Sequence, residues 1–83
     1  MKHLVLTIRR PAFDDAVRPA HYAFLQSLRD QQTLEQAGPF TDRSGGAYVI
    51  RAKDLGKAKE IAEKDPLNLQ NCSTVIVLEW DAS

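Results

Sequence analysis

Residues 72–80, CSTVIVLEW, decide the fold. The run is rich in β-branched and aliphatic residues, which reads as one long strand. Val75 and Val77 fall on one face of it, and Ile76, Leu78 and Trp80 on the other. A sheet with helices on one side and water on the other alternates apolar with polar residues. This strand is apolar on both sides, so its second face is expected to meet a second copy of the chain. Size points the same way. A chain of 83 residues buries only ~60–65% of the surface its unfolded form exposes, and a homodimer interface adds burial.

Working outward, KHLVLTIRR (2–10) is a first strand that stops at Pro11. Leu4, Leu6 and Ile8 share one face; His3, Val5 and Thr7 share the other, less apolar one, which puts His3 at a surface or interface. VRPAHYAFLQSLRD (17–30) reads as a helix to about Gln31. Asp14 or Asp15 is available to cap it, and Pro19 is tolerated in the first turn. Its apolar face is Val17, Ala20, Phe24, Leu25 and Leu28, with His21 among them. TLEQAGPF (33–40) is a short extended segment with a bend or bulge at Gly38–Pro39. TDRSGG (41–46) is hairpin-turn chemistry, its glycines accepting positive φ. AYVIRA (47–52) is a strand. Asp54 caps a second helix, LGKAKEIAEKD, whose apolar residues are Leu55, Ala58, Ile61 and Ala62. Pro66 ends it. The order β-α-β-β-α-β predicts an α+β, ferredoxin-like fold: a four-stranded antiparallel sheet with two helices on one face, forming one domain over residues 1–83.

Composition narrows the function classes. Eleven basic residues balance eleven acidic ones, so no field attracts a phosphate backbone and no nucleic-acid partner is expected. Cys72 is alone, which rules out an intrachain disulfide and favours an inert, buried thiol. The N-terminal apolar run is broken by Arg9 and Arg10, unlike a signal peptide, and nothing approaches the ~20 apolar residues of a membrane span. The expectation is a soluble, cytoplasmic protein with no membrane association. Two histidines without a metal-ligand spacing predict no metal site, and no motif calls for a cofactor.

Chemistry concentrates at two oddities. His21 on an apolar helix face reads as a neutral core residue bonded to backbone or water, or as a site residue. Arg18, three positions earlier, shares its flank and can fix an anion, or simply lie along the surface. Asp65 ends the second helix at the negative pole of its dipole, a cost of ~0.3–1 kcal/mol. It is either an ordinary Asp-Pro turn opener or a carboxylate that orients and charges an imidazole.

VRPAHYAFLQSLRDQQTLEQAGPF, followed after a strand and a helix by AEKDP, resembles the YciI-like (YCII-related) family of the dimeric α/β-barrel superfamily. The resemblance spans nearly the whole chain. It implies a His21–Asp65 active-site dyad, with Arg18, Gly38 and Pro39 as surrounding substrate-binding positions, and it turns the reading of His21 toward a site. Gln32 stands where the family carries glycine, so this helix end requires another cap. The resemblance implies lyase or isomerase chemistry on small cyclic or carbonyl compounds without a cofactor. A non-catalytic dimeric module that binds a small ligand or a partner domain is the alternative from a different class. A regulatory domain of a transcription factor is disfavoured, since no DNA-binding segment accompanies it.

Overall fold

The computed structural model describes residues 1–82. Strands β1 (Lys2–Arg9), β2 (Leu34–Pro39), β3 (Gly45–Arg51) and β4 (Ser73–Trp80) form one sheet in the order β2-β3-β1-β4, every neighbouring pair antiparallel. Helices α1 (Arg18–Asp30) and α2 (Leu55–Glu63) make the two crossovers, and a single turn of helix, α3 (Pro66–Leu69), leads into β4. This is the expected ferredoxin-like α+β arrangement.

Register decides which side chains meet. Val5 lies opposite Tyr48 of β3 and Val77 of β4, and directly opposed residues share a face. That face takes Leu25 and Leu28 from α1 and Ala58 and Ala62 from α2, with Leu34 and Ile50 completing the cluster. Of the apolar residues read for α2, Ala58 and Ala62 are buried in this cluster and Ile61 packs against it. Of the apolar face read for the first helix, Ala20 is exposed, Leu25 and Leu28 are buried, and Val17 is buried in the turn just before α1.

His3 lies on the helix-covered face and is fully buried, with both ring nitrogens unpartnered. His3 is therefore at neither a surface nor an interface, contrary to the expectation from the sequence, because face assignment by counting aliphatics fails here. Leu4, Leu6 and Ile8 point to the open side, and the crossovers cover the face carrying His3, Val5 and Thr7.

Two local departures have physical causes. The irregularity in β2 sits between Leu34 and Gln36, not at Gly38–Pro39. Glu35, beside it, accepts from the Arg51 guanidinium (2.7 Å) and pairs with Lys2 (3.2 Å). Gly38 and Pro39 stay in register with Ala47 and Gly46, and on an edge strand the missing proline N–H costs no ladder bond. In the hairpin, Arg43 (φ 64°) takes the left-handed conformation expected of the glycines. Gly45 also takes a positive φ (157°), as expected, and both glycines serve close approach as well. A Cβ on Gly45 would collide with the Thr7 carbonyl oxygen, and one on Gly46 would lie 2.7 Å from the Gly38 carbonyl oxygen.

The end of α1 shows how Gln32 replaces a glycine. Gln32 adopts φ 61°; its N–H bonds the Arg29 carbonyl at 2.9 Å and the Thr33 N–H bonds the Leu28 carbonyl at 2.9 Å. This is a Schellman cap with glutamine in the position that favours glycine. Gln32→Gly is therefore expected to stabilise the protein by ~0.5–1 kcal/mol, read as a higher urea midpoint with an unchanged slope.

Candidate active site

The placement of Asp65 follows from Pro66. A residue before proline is pushed out of the helical region, and Asp65 has φ −61° and ψ 129°. Its backbone N–H still closes on the Ala62 carbonyl (3.1 Å) while its side chain accepts from the Leu67 N–H (2.9 Å). Asp65 is thus the N-cap of α3, at the pole that favours a carboxylate. It does not belong to the last turn of α2, and the dipole conflict read from the sequence does not exist. The short helix hides from sequence reading because four residues carry no periodicity.

The capping carboxylate is fully buried and receives two further donors. His21, one turn into α1, approaches with Nδ1 at 2.9 Å from Oδ1, its own side chain 15% exposed. The Tyr48 hydroxyl donates to Oδ2 at 3.0 Å. A carboxylate only accepts, so Nδ1 carries the proton and the neutral imidazole keeps Nε2 as its acceptor. Tyr48 was missed in the sequence. The available signal was its place beside Ile50 on an inward-facing strand, since a buried tyrosine hydroxyl needs a partner.

Burial first, and then the charge of Asp65, pushes the Tyr48 hydroxyl well above the ordinary tyrosine range. The unfolded chain releases this proton near pH ~10 while the folded chain keeps it. The stability contributed is fully present below that pH and is lost as the pH rises above it. Urea unfolding at stepped alkaline pH should show stability falling by up to about 1.4 kcal/mol per pH unit from this group. The Tyr48→Phe variant should lack that component.

His21 lies in the wall of a cavity of about 400 Å³. Arg18, Tyr22 and Leu25 of α1 and Leu67 of α3 line it as well. Ala37, Gly38 and Pro39 of β2 line the same cavity. The start of α1, the chain after α2 and the 37–39 segment therefore meet around this space. The structure brings Arg18, His21, Gly38 and Pro39 together around one space, with Asp65 directly behind His21. Arg18 is held by Asp15, its Nε 3.1 Å from Oδ1. Cys72 is buried against Val17 and Leu67. Among the described residues, no group of three His, Cys, Asp or Glu side chains clusters to hold a metal ion, and no helix is long and apolar enough to cross a membrane.

Comparison with known proteins fits this geometry into a family. "Uncharacterized protein YjpA" of Bacillus subtilis (strain 168) is 41% identical over 78 residues, covering 94% of this chain and 92% of that protein. Among solved structures, the 5-chloro-2-hydroxyhydroquinone dehydrochlorinase TftG from Burkholderia phenoliruptrix AC1100, in complex with 2,5-dihydroxybenzoquinone, superposes with a TM-score of 0.77. The match is 20% identical and covers 100% of this chain and 96% of that one. An antibiotic biosynthesis monooxygenase superposes with a TM-score of 0.55 at 12% identity, covering 98% of each chain. Residues 1–81 match the family model described as the YCII-related domain, and the chain belongs to that family.

Proposed function

We propose that the cavity is the active site of a cofactor-independent lyase or isomerase acting on small cyclic or carbonyl compounds, with His21 as general base. The observation that carries this reading is the Nδ1–Oδ1 contact of 2.9 Å between His21 and a fully buried Asp65, at the wall of an open cavity. Asp65 fixes the tautomer and ring orientation and stabilises the imidazolium that forms. Nε2 removes a proton from carbon beside a carbonyl, leaving an enolate. The enolate then either expels a leaving anion or is reprotonated at another carbon. Arg18, its Nε tied to Asp15, offers its remaining N–H groups to the enolate oxygen. Gly38 and Pro39 line the same cavity. A fold neighbour that is a dehydrochlorinase solved with a dihydroxyquinone supports small cyclic compounds as the substrate class. The working unit is proposed to be a homodimer joined through the open sheet face.

Proton abstraction is measurable without knowing the full reaction. Cyclic ketones, lactones and keto acids incubated in D2O should lose C–H signal by NMR when the protein is present. His21→Gln should slow this exchange by ~10²–10⁴-fold while 2,5-dihydroxybenzoquinone still shifts the melting temperature. No exchange across the panel, or exchange unaffected by His21→Gln, would remove the catalytic reading and leave a binding module.

A further inference from the structure

The cavity has a second polar end, on the sheet, that the dyad does not use. Among the described residues, its wall carries three arginines and no aspartate or glutamate. Two of those arginines are engaged by the protein: Arg18 with Asp15, and Arg29 with the Gln26 side-chain oxygen at 3.2 Å. Arg9 has no carboxylate beside it among the described residues. Its guanidinium rests over the Phe13 ring, 4.2 Å from the centroid, a contact that holds the planar group in place without using its N–H donors. Directly across the β1–β4 ladder from Arg9 is Ser73. Ser73 lines the same cavity, is only 3% exposed, and its hydroxyl has no hydrogen-bond partner. A half-buried cation and a buried orphan hydroxyl on adjacent strands are two unmet requirements, and one anionic ligand group satisfies both.

We infer that Arg9 and Ser73 form a carboxylate-binding subsite, so that the substrate is a small cyclic carbonyl compound bearing a carboxylate. This rests on the reading of His21 as the base at the other end of the same cavity. A guanidinium fork with one hydroxyl matches the two oxygens of a carboxylate, with two parallel N–H···O bonds and one O–H···O bond. Spacing fits a ring between the two ends. Tyr48, which touches Asp65, faces Val5, and Arg9 is four residues further along β1, ~13 Å at the strand rise. The cavity that His21, Arg9 and Ser73 all line, about 400 Å³, holds one small ring.

The matched probes are 4-oxocyclohexane-1-carboxylate and its neutral methyl ester, with binding followed by calorimetry and α-carbon deuterium exchange by NMR. The acid should bind wild-type protein roughly tenfold or more tightly than the ester, and added NaCl should weaken the acid alone. Arg9→Gln and Ser73→Ala should each shrink that preference, Arg9→Gln to about unity, by weakening the acid and leaving the ester unchanged. Should Arg9→Gln lose its circular dichroism spectrum, Arg9→Lys replaces it. That variant keeps the charge, loses the fork, and should keep only part of the preference. His21→Gln should retain the preference and lose the exchange. Equal binding of acid and ester, binding of neither at millimolar concentration, or a preference indifferent to Arg9 and Ser73 overturns the subsite. A preference that depends on Arg9, without exchange in wild type, would instead overturn the base and keep the subsite.

Discussion

Asp65→Ala is expected to cost most of the stability of this chain, while Asp65→Asn leaves it folded. The carboxylate is fully buried and accepts from His21 Nδ1, the Tyr48 hydroxyl and the Leu67 N–H. Alanine strands three donors, removes the cap of α3 and opens a void. Leaving a buried polar cluster without its acceptor costs ~3–5 kcal/mol, against a total of ~5–15 kcal/mol for a typical domain. At ~4–8 °C per kcal/mol in a chain of this size, the melting temperature falls by roughly 12–40 °C. Asparagine caps helices as well as aspartate does. Its oxygen can still accept from Leu67 and His21, and its amide can donate to the Tyr48 oxygen, so a loss of ~1–2 kcal/mol is expected. What asparagine cannot do is stabilise an imidazolium. Asp65→Asn should therefore slow deuterium exchange at least ~10-fold with the fold intact, and combining it with His21→Gln should add little. Equal melting temperatures for the alanine and asparagine variants would mean that the three donors do not depend on this acceptor.

The order of elements was legible because β3 and β4 carry unbroken apolar runs and Asp54 marks the start of α2; Pro66 does not end that helix, which stops at Glu63, but opens α3 instead. Its side chain accepting from the Lys57 N–H at 2.8 Å, Asp54 caps α2 as read. Asp14 rather than Asp15 caps the approach to α1, as the N-cap of a 3₁₀ turn over Asp15–Val17, its side chain accepting from the Ala16 N–H at 2.9 Å. Sidedness was not legible in β1. Both faces of that strand offer apolar residues, and only the route of the crossovers decides that His3 is covered and Leu6 is not. The meeting of His21 and Asp65 was not legible from spacing either, since they lie 44 residues apart. The contact depends on the β1–β3 register, which sets Tyr48 beneath α1, and on Asp65 leaving helical geometry before Pro66. Family resemblance pointed to the pair. It did not point to Tyr48, to the cap that holds Asp65, or to Arg9 and Ser73.

The sheet face left open by the helices predicts the second large effect. Leu4 pairs with Leu78 and Leu6 with Ile76 across the β1–β4 ladder, and Ile8 and Trp80 extend this strip to both ends. Ile76, Leu78 and Trp80 are 40%, 47% and 46% exposed, which is a contiguous apolar patch of the kind that monomers rarely leave in water. A twofold-symmetric partner would lay the same strip against itself, and every substitution in such an interface acts twice. Leu78→Glu places two charges in the apolar centre, an expected penalty of ~4–6 kcal/mol, or a rise in the dimer dissociation constant of ~10³–10⁴-fold. Sedimentation equilibrium at micromolar concentration should give twice the chain mass for wild type and a single chain mass for Leu78→Glu, with circular dichroism preserved. Val77→Lys is the matching control. Val77 packs with the helix-covered core, so a lysine there should unfold the chain instead of parting two folded copies. A wild-type protein that sediments as one chain at ~100 µM would mean that the strip stays solvated, and the doubly apolar β4 would then need another partner.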